Sequence, residues 1–213
     1  MLFNSFFESV VKIKHLNLFG EISHAKMSPP YRLKLAEQMK EKEKTPKEAA
    51  ILALFYPNAQ GETCLVLILR KTYKGVHSAQ VGFPGGKYEL ADKDLQVTAI
   101  RETEEEIGVP KSSIEVIKKL SPLYIPPSNF MVHPYVAMSK KTPNFIKQDE
   151  EVEAIIEVRL TDFLNEENNT TARVSTSFGV TANVPALKLN GHNVWGATAM
   201  MLGELKDLLK QVL

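Results

Sequence analysis

A chain of 213 residues, 44% hydrophobic and 24% charged, with a formal net charge of +1, has material for one well-buried domain and hardly for two. The near-neutral balance gives no global electrostatic case for nucleic acid or an anionic membrane as partner. Its longest apolar runs, ILALFY at 51–56 and LVLIL at 65–69, are too short to span a bilayer, and its one cysteine, Cys64, points to a reducing, cytoplasmic setting without an intramolecular disulfide.

Residues 2–13 set Leu2, Phe3, Phe6, Val10 and Ile13 at mostly helical spacing, which predicts an amphipathic helix docked on the domain or on a second copy in a homodimer. Glu8 argues against an organelle transit peptide, and the apolar core is too interrupted for a secretory signal. Ser28-Pro29 opens a second predicted helix that runs through YRLKLAEQMKEK to Thr45-Pro46, because proline suits a first helical turn. From Ala49 the pattern changes to strands: AAILALFY and ETCLVLILR are joined by Pro57-Asn58-Ala59-Gln60-Gly61, a linker of hairpin length. Runs that are apolar without alternation belong to a sheet covered on both faces. Further strands are expected at 114–121, 131–138, 151–160, 172–178 and 184–189, then a helix from about Ala197 with Met201, Leu205, Leu208 and Val212 on one stripe. The pattern reads as an α/β fold: a mixed sheet with helices on both faces over residues 46–213, after an N-terminal helical extension, residues 1–45.

The stretch from Gly82 to Val109 carries the chemistry. Glu102, Glu105 and Glu106 stand at i, i+3 and i+4, which on a helix puts three carboxylates on one face. Asp94 is the expected N-cap, Gly108 the residue past the last turn, and Pro110 forbids continuation. Val97, Ile100 and Ile107, with Thr103 between, predict an apolar stripe opposite the acids. Grouped hard oxygen ligands suit Mg²⁺ or Mn²⁺; the bland alternative is a solvated acidic face. A Gly85-Gly86 pair precedes the helix and allows close backbone approach.

Gly86, five residues, Asp92, eight residues and then Arg101-Glu102-Thr103-Glu104-Glu105-Glu106-Ile107-Gly108-Val109 resembles the Nudix box. Asp92 stands where the usual pattern has glutamate, the spacer before Arg101 is one residue longer, and Thr103 fills an aliphatic slot. The first two departures, and the preceding LVLILRKTYKGVHSAQVGFPGGKYELAD, resemble the coenzyme A diphosphatase subfamily. So do PPSNFMVHPYVAM, DEEVEAIIEVRLTDFL and VWGATAMML further on, giving coverage of about residues 22 to 208. Against that signature, Gly75 stands for arginine, Lys74 for leucine, Lys71 for serine and Ala79 for glycine.

The resemblance implies an α/β/α sandwich and a Mg²⁺- or Mn²⁺-dependent hydrolysis of the pyrophosphate of coenzyme A or acyl-coenzyme A. Its products are 4′-phosphopantetheine, or the acyl form, and adenosine 3′,5′-bisphosphate. It implies Glu102, Glu105, Glu106 and the Gly86 carbonyl as metal ligands, with Arg101 locking helix to loop. Gly85, Gly86, Asp92 and Gly108 then shape the box, Asp92 by pairing with Arg101 or orienting the loop. Glu105, Glu106, Glu151 and Arg101 form the catalytic set, in which Glu151 is a general base, an additional metal ligand, or one acid of a solvated loop. Arg70, Lys71, Lys74, His77 and Gln80 are the expected contacts to a small-molecule substrate, Lys87 being a further cation beside them. His77 has a second reading as a loop cap, and Trp195 is expected as core rather than as an adenine platform. Two other functions stay open: hydrolysis of another nucleoside diphosphate derivative (ADP-ribose, a dinucleotide or an NTP), and, more remotely, a non-enzymatic nucleotide-sensing module.

Overall fold

A computed structural model describes residues 1–40, 45–72, 79–175 and 181–213. The chain opens with α1 (Phe3–Val10), continued by a 3₁₀ turn at Val11–His15, and then α2 (Glu21–Lys26) and α3 (Arg32–Lys40). Strands β1 (Lys47–Pro57), β2 (Thr63–Arg70), β3 (Val81–Gly82) and β4 (Gly85–Lys87) lead into α4 (Leu95–Ile107). Then come β5 (Ile114–Lys119), β6 (Leu123–Ile125), β7 (Phe130–Ser139), β8 (Val152–Arg159) and the short α5 (Leu160–Leu164). The chain ends with β9 (Asn169–Ser175), β10 (Thr181–Leu189), β11 (His192–Trp195) and α6 (Gly196–Leu209).

Among the described residues β1 to β8 form one mixed sheet, and β9 to β11 a second, antiparallel one. β1 runs parallel to β7, from Lys47↔Phe130 to Phe55↔Met138, and antiparallel to β2 at Phe55↔Leu65. The apolar run of β1 divides with period two, as a strand's side chains must. Ala49, Ala53 and Phe55 enter a core shared with Phe6, Val10, Leu205 and Leu208, so α1 and α6 cover that face. Ala50, Leu52 and Leu54 enter a core shared with Ala99 and Ile107, so α4 covers the other. The expected mixed sheet with helices on both faces is thus what the chain forms.

The extension is part of this core. Phe6 is fully buried with its ring centroid 4.8 Å from that of Phe55, and burying one such side chain is worth about 1.5–3 kcal/mol. Leu2, expected on the same stripe, is 62% exposed and instead forms a backbone bridge to Glu62. α2, which hydropathy did not predict, docks on α6 through polar groups. The buried Glu204 carboxylate accepts from Gly20 N (2.9 Å), Ser121 N (3.1 Å) and Ser121 Oγ (2.6 Å), and Ser23 Oγ donates to Asp207 at 2.5 Å. A buried carboxylate is tolerated only when donors meet it in this way. Among the described residues no helix is long and apolar enough to cross a membrane.

Candidate functional site

β1 pairs with β2 from Phe55 to Pro57, and its earlier part pairs instead with β4, Ala50 opposite Gly86 and Ile51 opposite Gly85. The glycine pair therefore fills the splay between two central strands, where side chains have no room. A Cβ on Gly85 (φ +145) would meet Ala50 O at 2.4 Å and Ile51 Cα at 2.6 Å, and one on Gly86 would meet the Glu102 carboxylate at 2.4 Å. Gly85 needs glycine for its backbone conformation and for the backbone packed against it, whereas a side chain at Gly86 would displace the Glu102 carboxylate that rests there.

α4 has the predicted ends. Asp94 Oδ1 accepts from Val97 N at 2.9 Å, and Gly108 is left-handed (φ 71) with its N–H on Glu104 O. Its buried side differs from the expected stripe. Thr98, Ala99, Thr103 and Ile107 are buried, whereas Val97 and Ile100 are only partly so. Thr103, in the aliphatic slot, donates its hydroxyl to Ala99 O at 2.7 Å, which removes the cost of a buried polar group. Nor do the acids share one outward face: Glu106 is 2% exposed, Glu102 is half-buried and Glu105 is exposed. The fold rotates Glu106 inward because the Gly85 turn packs on that side, and Gly85 N donates to Glu106 Oε2 at 2.7 Å.

Arg101 joins loop to helix. Its Nε and Nη2 donate to the two Asp92 oxygens at 2.9 and 3.0 Å, the bidentate geometry in which arginine exceeds lysine. Nη2 also reaches Lys87 O at 3.2 Å, and Nη1 reaches Glu102 at 3.0 Å and Glu105 at 2.9 Å. Asp92 further accepts from Thr98 Oγ1 (2.8 Å) and Glu89 N (3.1 Å). The Arg101 hydrogen bonds, outweighing burial, hold the Asp92 carboxyl well below the usual carboxylate range. Asp92 is thus an anchor for Arg101 and the loop.

Glu106 is the opposite case. Burial pushes its pKa up to about 7, against the opposing pull of Arg70 and the Gly85 N–H, and the charges of Glu102 and Glu151 add to the rise. Burial also raises Glu102 despite Arg101 beside it, with Glu105 and Glu151 contributing. The loop ahead of β8 therefore brings Glu151 within electrostatic reach of both, tied in place by Lys71 N on Glu151 O at 2.9 Å and Glu151 N on Gln148 Oε1 at 2.6 Å. The donor set fits a hard divalent cation in chemistry: oxygens only, two of them on carboxylates whose charge the protein leaves undercompensated. As the side chains stand, Arg101 holds Glu105, and no three ligating groups converge among the described residues.

Of the predicted substrate contacts, Arg70 and Gln80 line a cleft of about 430 Å³ whose lining includes Gly85 and Gly86. Arg70 Nη1 lies 3.8 Å from Glu106 Oε1. Lys71 is half-buried and outside the cleft lining, its charge acting on Asp149, while Lys87 is exposed on the cleft rim. Lys74 and His77 lie outside the described residues. Trp195, expected as core, packs partly buried against the second sheet and also lines the cleft. Tyr31, Arg32 and Leu35 of the extension line it too; the sequence reading missed them, and the one signal was an aromatic-arginine pair directly after Pro29-Pro30. Ala79, in the signature's glycine position, adopts φ 53, a left-handed conformation that costs a side chain about 1–2 kcal/mol.

The model of the family described as "NUDIX domain" matches residues 44–177. Nudix hydrolase 15, mitochondrial, of Arabidopsis thaliana is 36% identical over 125 residues, 58% of this chain and 44% of that protein. The Nudix hydrolase NudL of Yersinia pestis is 33% identical over 144 residues, 68% of this chain and 71% of that protein. The match thus spans less than half the length of the plant relative. A crystal structure of a Nudix hydrolase from M. smegmatis, RenU, superposes with a TM-score of 0.54 at 13% identity, covering 79% of this chain and 88% of that one. A MutT protein from Methanosarcina mazei gives 0.50 at 17% identity, covering 78% and 95%. At such identities these two structures speak for the fold alone.

Proposed function

The chain belongs to the Nudix family, and from that premise we propose that it hydrolyses the pyrophosphate of coenzyme A or its thioesters, releasing 4′-phosphopantetheine (or its acyl form) and adenosine 3′,5′-bisphosphate. The observation that carries this reading is the continuity of the cleft with the box. Arg70, Gly85 and Gly86 line the cleft and touch the box acids, Arg70 and Gly85 facing Glu106 and Gly86 facing Glu102, while Leu35, Ile125, Phe130 and Met201 give the same cleft apolar walls. A substrate with a charged centre and a long, partly apolar arm suits that division. The segment leading into the box, with its resemblance to the coenzyme A diphosphatases, supports the same choice.

Glu102, Glu105, Glu106 and the Gly86 carbonyl are the groups that would hold Mg²⁺ or Mn²⁺, which supplies neutralisation of phosphate oxygens and a more acidic bound water. The protein's own part is positioning. Arg70 offers the cation at the reaction end, and Arg101 fixes the spacing of loop and helix. Glu105 and Glu151 are the acids of the set exposed to solvent, so either can take the proton of the attacking water. The water oxygen bonds to one phosphorus, the bridging oxygen leaves with the electron pair on the other phosphate, and the proton passes from the carboxylate to solvent.

A panel of coenzyme A, an acyl-coenzyme A, dephospho-coenzyme A, ADP-ribose, a dinucleotide and an NTP, run with Mg²⁺ and with Mn²⁺ and read by mass spectrometry, tests the assignment. Coenzyme A or its thioester should show the highest kcat/KM with the two products named. If ADP-ribose or the dinucleotide is cut more efficiently, the substrate assignment is wrong and the family membership stands.

A further inference from the structure

The extension brings a positive charge into the cleft that the fold does not consume. Arg32, the first residue of α3, lines the cleft half-buried. One of its nitrogens, Nη2, donates to the Tyr124 carbonyl, and it pairs with no carboxylate among the described residues. By contrast Arg70, Arg101 and Arg159 each face one. Burial pushes the Arg32 pKa down, with the charge of Glu21 acting the other way. A guanidinium carries five N–H donors in a planar fork, and desolvating one without an anionic partner is costly unless a ligand supplies the anion. Tyr31 and Trp195 line the same cleft and offer flat apolar faces to a base.

The reaction end of the cleft already has its cation in Arg70, beside Glu106. Arg32 is held elsewhere, against the Tyr124 carbonyl of β6, with its own N–H on Pro29 O at 3.0 Å. We propose that Arg32, outside the family-matched residues 44–177, is a specificity-determining residue that binds a phosphate on the nucleoside half of the substrate, separate from the pyrophosphate that is cut. The inference rests on the hydrolase reading of this cleft and assigns the discriminating contact to the extension rather than to the segment before the box. A ribose 3′-phosphate is the group of coenzyme A with that chemistry.

Calorimetric binding of adenosine 3′,5′-bisphosphate and of 5′-AMP to the whole protein tests it without turnover. The wild type should bind the bisphosphate about ten- to a hundredfold tighter, the worth of a charge-assisted contact. Arg32→Gln keeps a donor for the Tyr124 carbonyl but removes the charge; it should bring the ratio to within about threefold of unity with AMP affinity little changed. Arg32→Met must do the same if the glutamine variant folds poorly, and Arg32→Lys should keep part of the ratio. In hydrolysis the preference for coenzyme A over its dephospho form should fall in Arg32→Gln through KM, with kcat retained. A wild type that binds both nucleotides equally, or variants that keep the wild-type ratio, overturn the role of Arg32. Failure of the hydrolase reading shows separately, as absence of turnover in a protein that still discriminates the two nucleotides.

Discussion

Asp92 and Glu106 are carboxylates of one loop-helix unit, 5% and 2% exposed, yet their surroundings drive them in opposite directions. Asp92 receives a bidentate arginine, a threonine hydroxyl and a backbone N–H, and its pKa falls. Glu106 receives one backbone N–H, with Arg70 3.8 Å away, and its pKa rises to about 7. Similar surface exposure thus yields an anchor in one case and an undercompensated charge in the other: Glu106 lies deep enough that desolvation is the largest influence on it, whereas at Asp92 the Arg101 bonds outweigh desolvation. A charge the fold has satisfied holds structure; a charge it has left short of partners is available to a cation.

Breaking the anchor should give the largest effect. Asp92→Asn leaves Arg101 partly buried without its bidentate acceptor, and removing one member of such a pair costs about 3 kcal/mol. The loss should be visible in chemical denaturation and should not be recovered by adding Mg²⁺. Glu106→Gln should do the reverse: turnover falls at least about a hundredfold, as for transition-state electrostatic groups, while stability at neutral pH holds or rises. Near wild-type kcat in that variant at saturating Mg²⁺ would remove Glu106 from the site. The smallest effect belongs to Glu104, whose carboxylate meets Lys111 N at 3.1 Å and Lys111 Nζ at 3.2 Å, away from the cluster. Glu104→Gln should leave kcat/KM within roughly a fewfold, since a screened charge acts weakly at a distance; a dead variant would mean that the helix presents different acids.

The ends of α4 were legible because they are local chemistry: Asp94 caps within three residues, and Gly108 is required by a left-handed turn. The central strands were legible from continuous apolarity, and pairing with Arg101 was one of the two roles that the box resemblance implied for Asp92. What periodicity could not show was the direction in which the acids point. Glu102, Glu105 and Glu106 do lie along one side of the helix, but the Gly85 turn covers part of that side, and a helical wheel has no knowledge of a strand arriving from elsewhere. α2 escaped for a related reason, since its docking on α6 uses Ser23 rather than an apolar stripe. The cleft wall escaped because Tyr31, Arg32 and Leu35 sit in a segment read as an appendage, and only the tertiary fold sets them beside Tyr124 and Trp195.

The pH dependence of stability in metal-free protein tests the contrast most directly, comparing wild type with Glu106→Gln by denaturant titration from about pH 4 to 8. A carboxyl raised from 4.5 to about 7 on folding binds its proton more tightly in the native state, so its contribution is present below the lower value and is lost as pH rises through the higher one, a change of roughly 3 kcal/mol. Asp92, shifted down, adds stability above its unfolded pKa that is lost only in stronger acid. The difference between the two proteins should therefore develop between about pH 4.5 and 7, the wild type losing stability relative to Glu106→Gln as pH rises, and saturating Mg²⁺ should shrink that loss. Parallel pH profiles for the two proteins, or a wild type that gains on the variant as pH rises, would contradict the account.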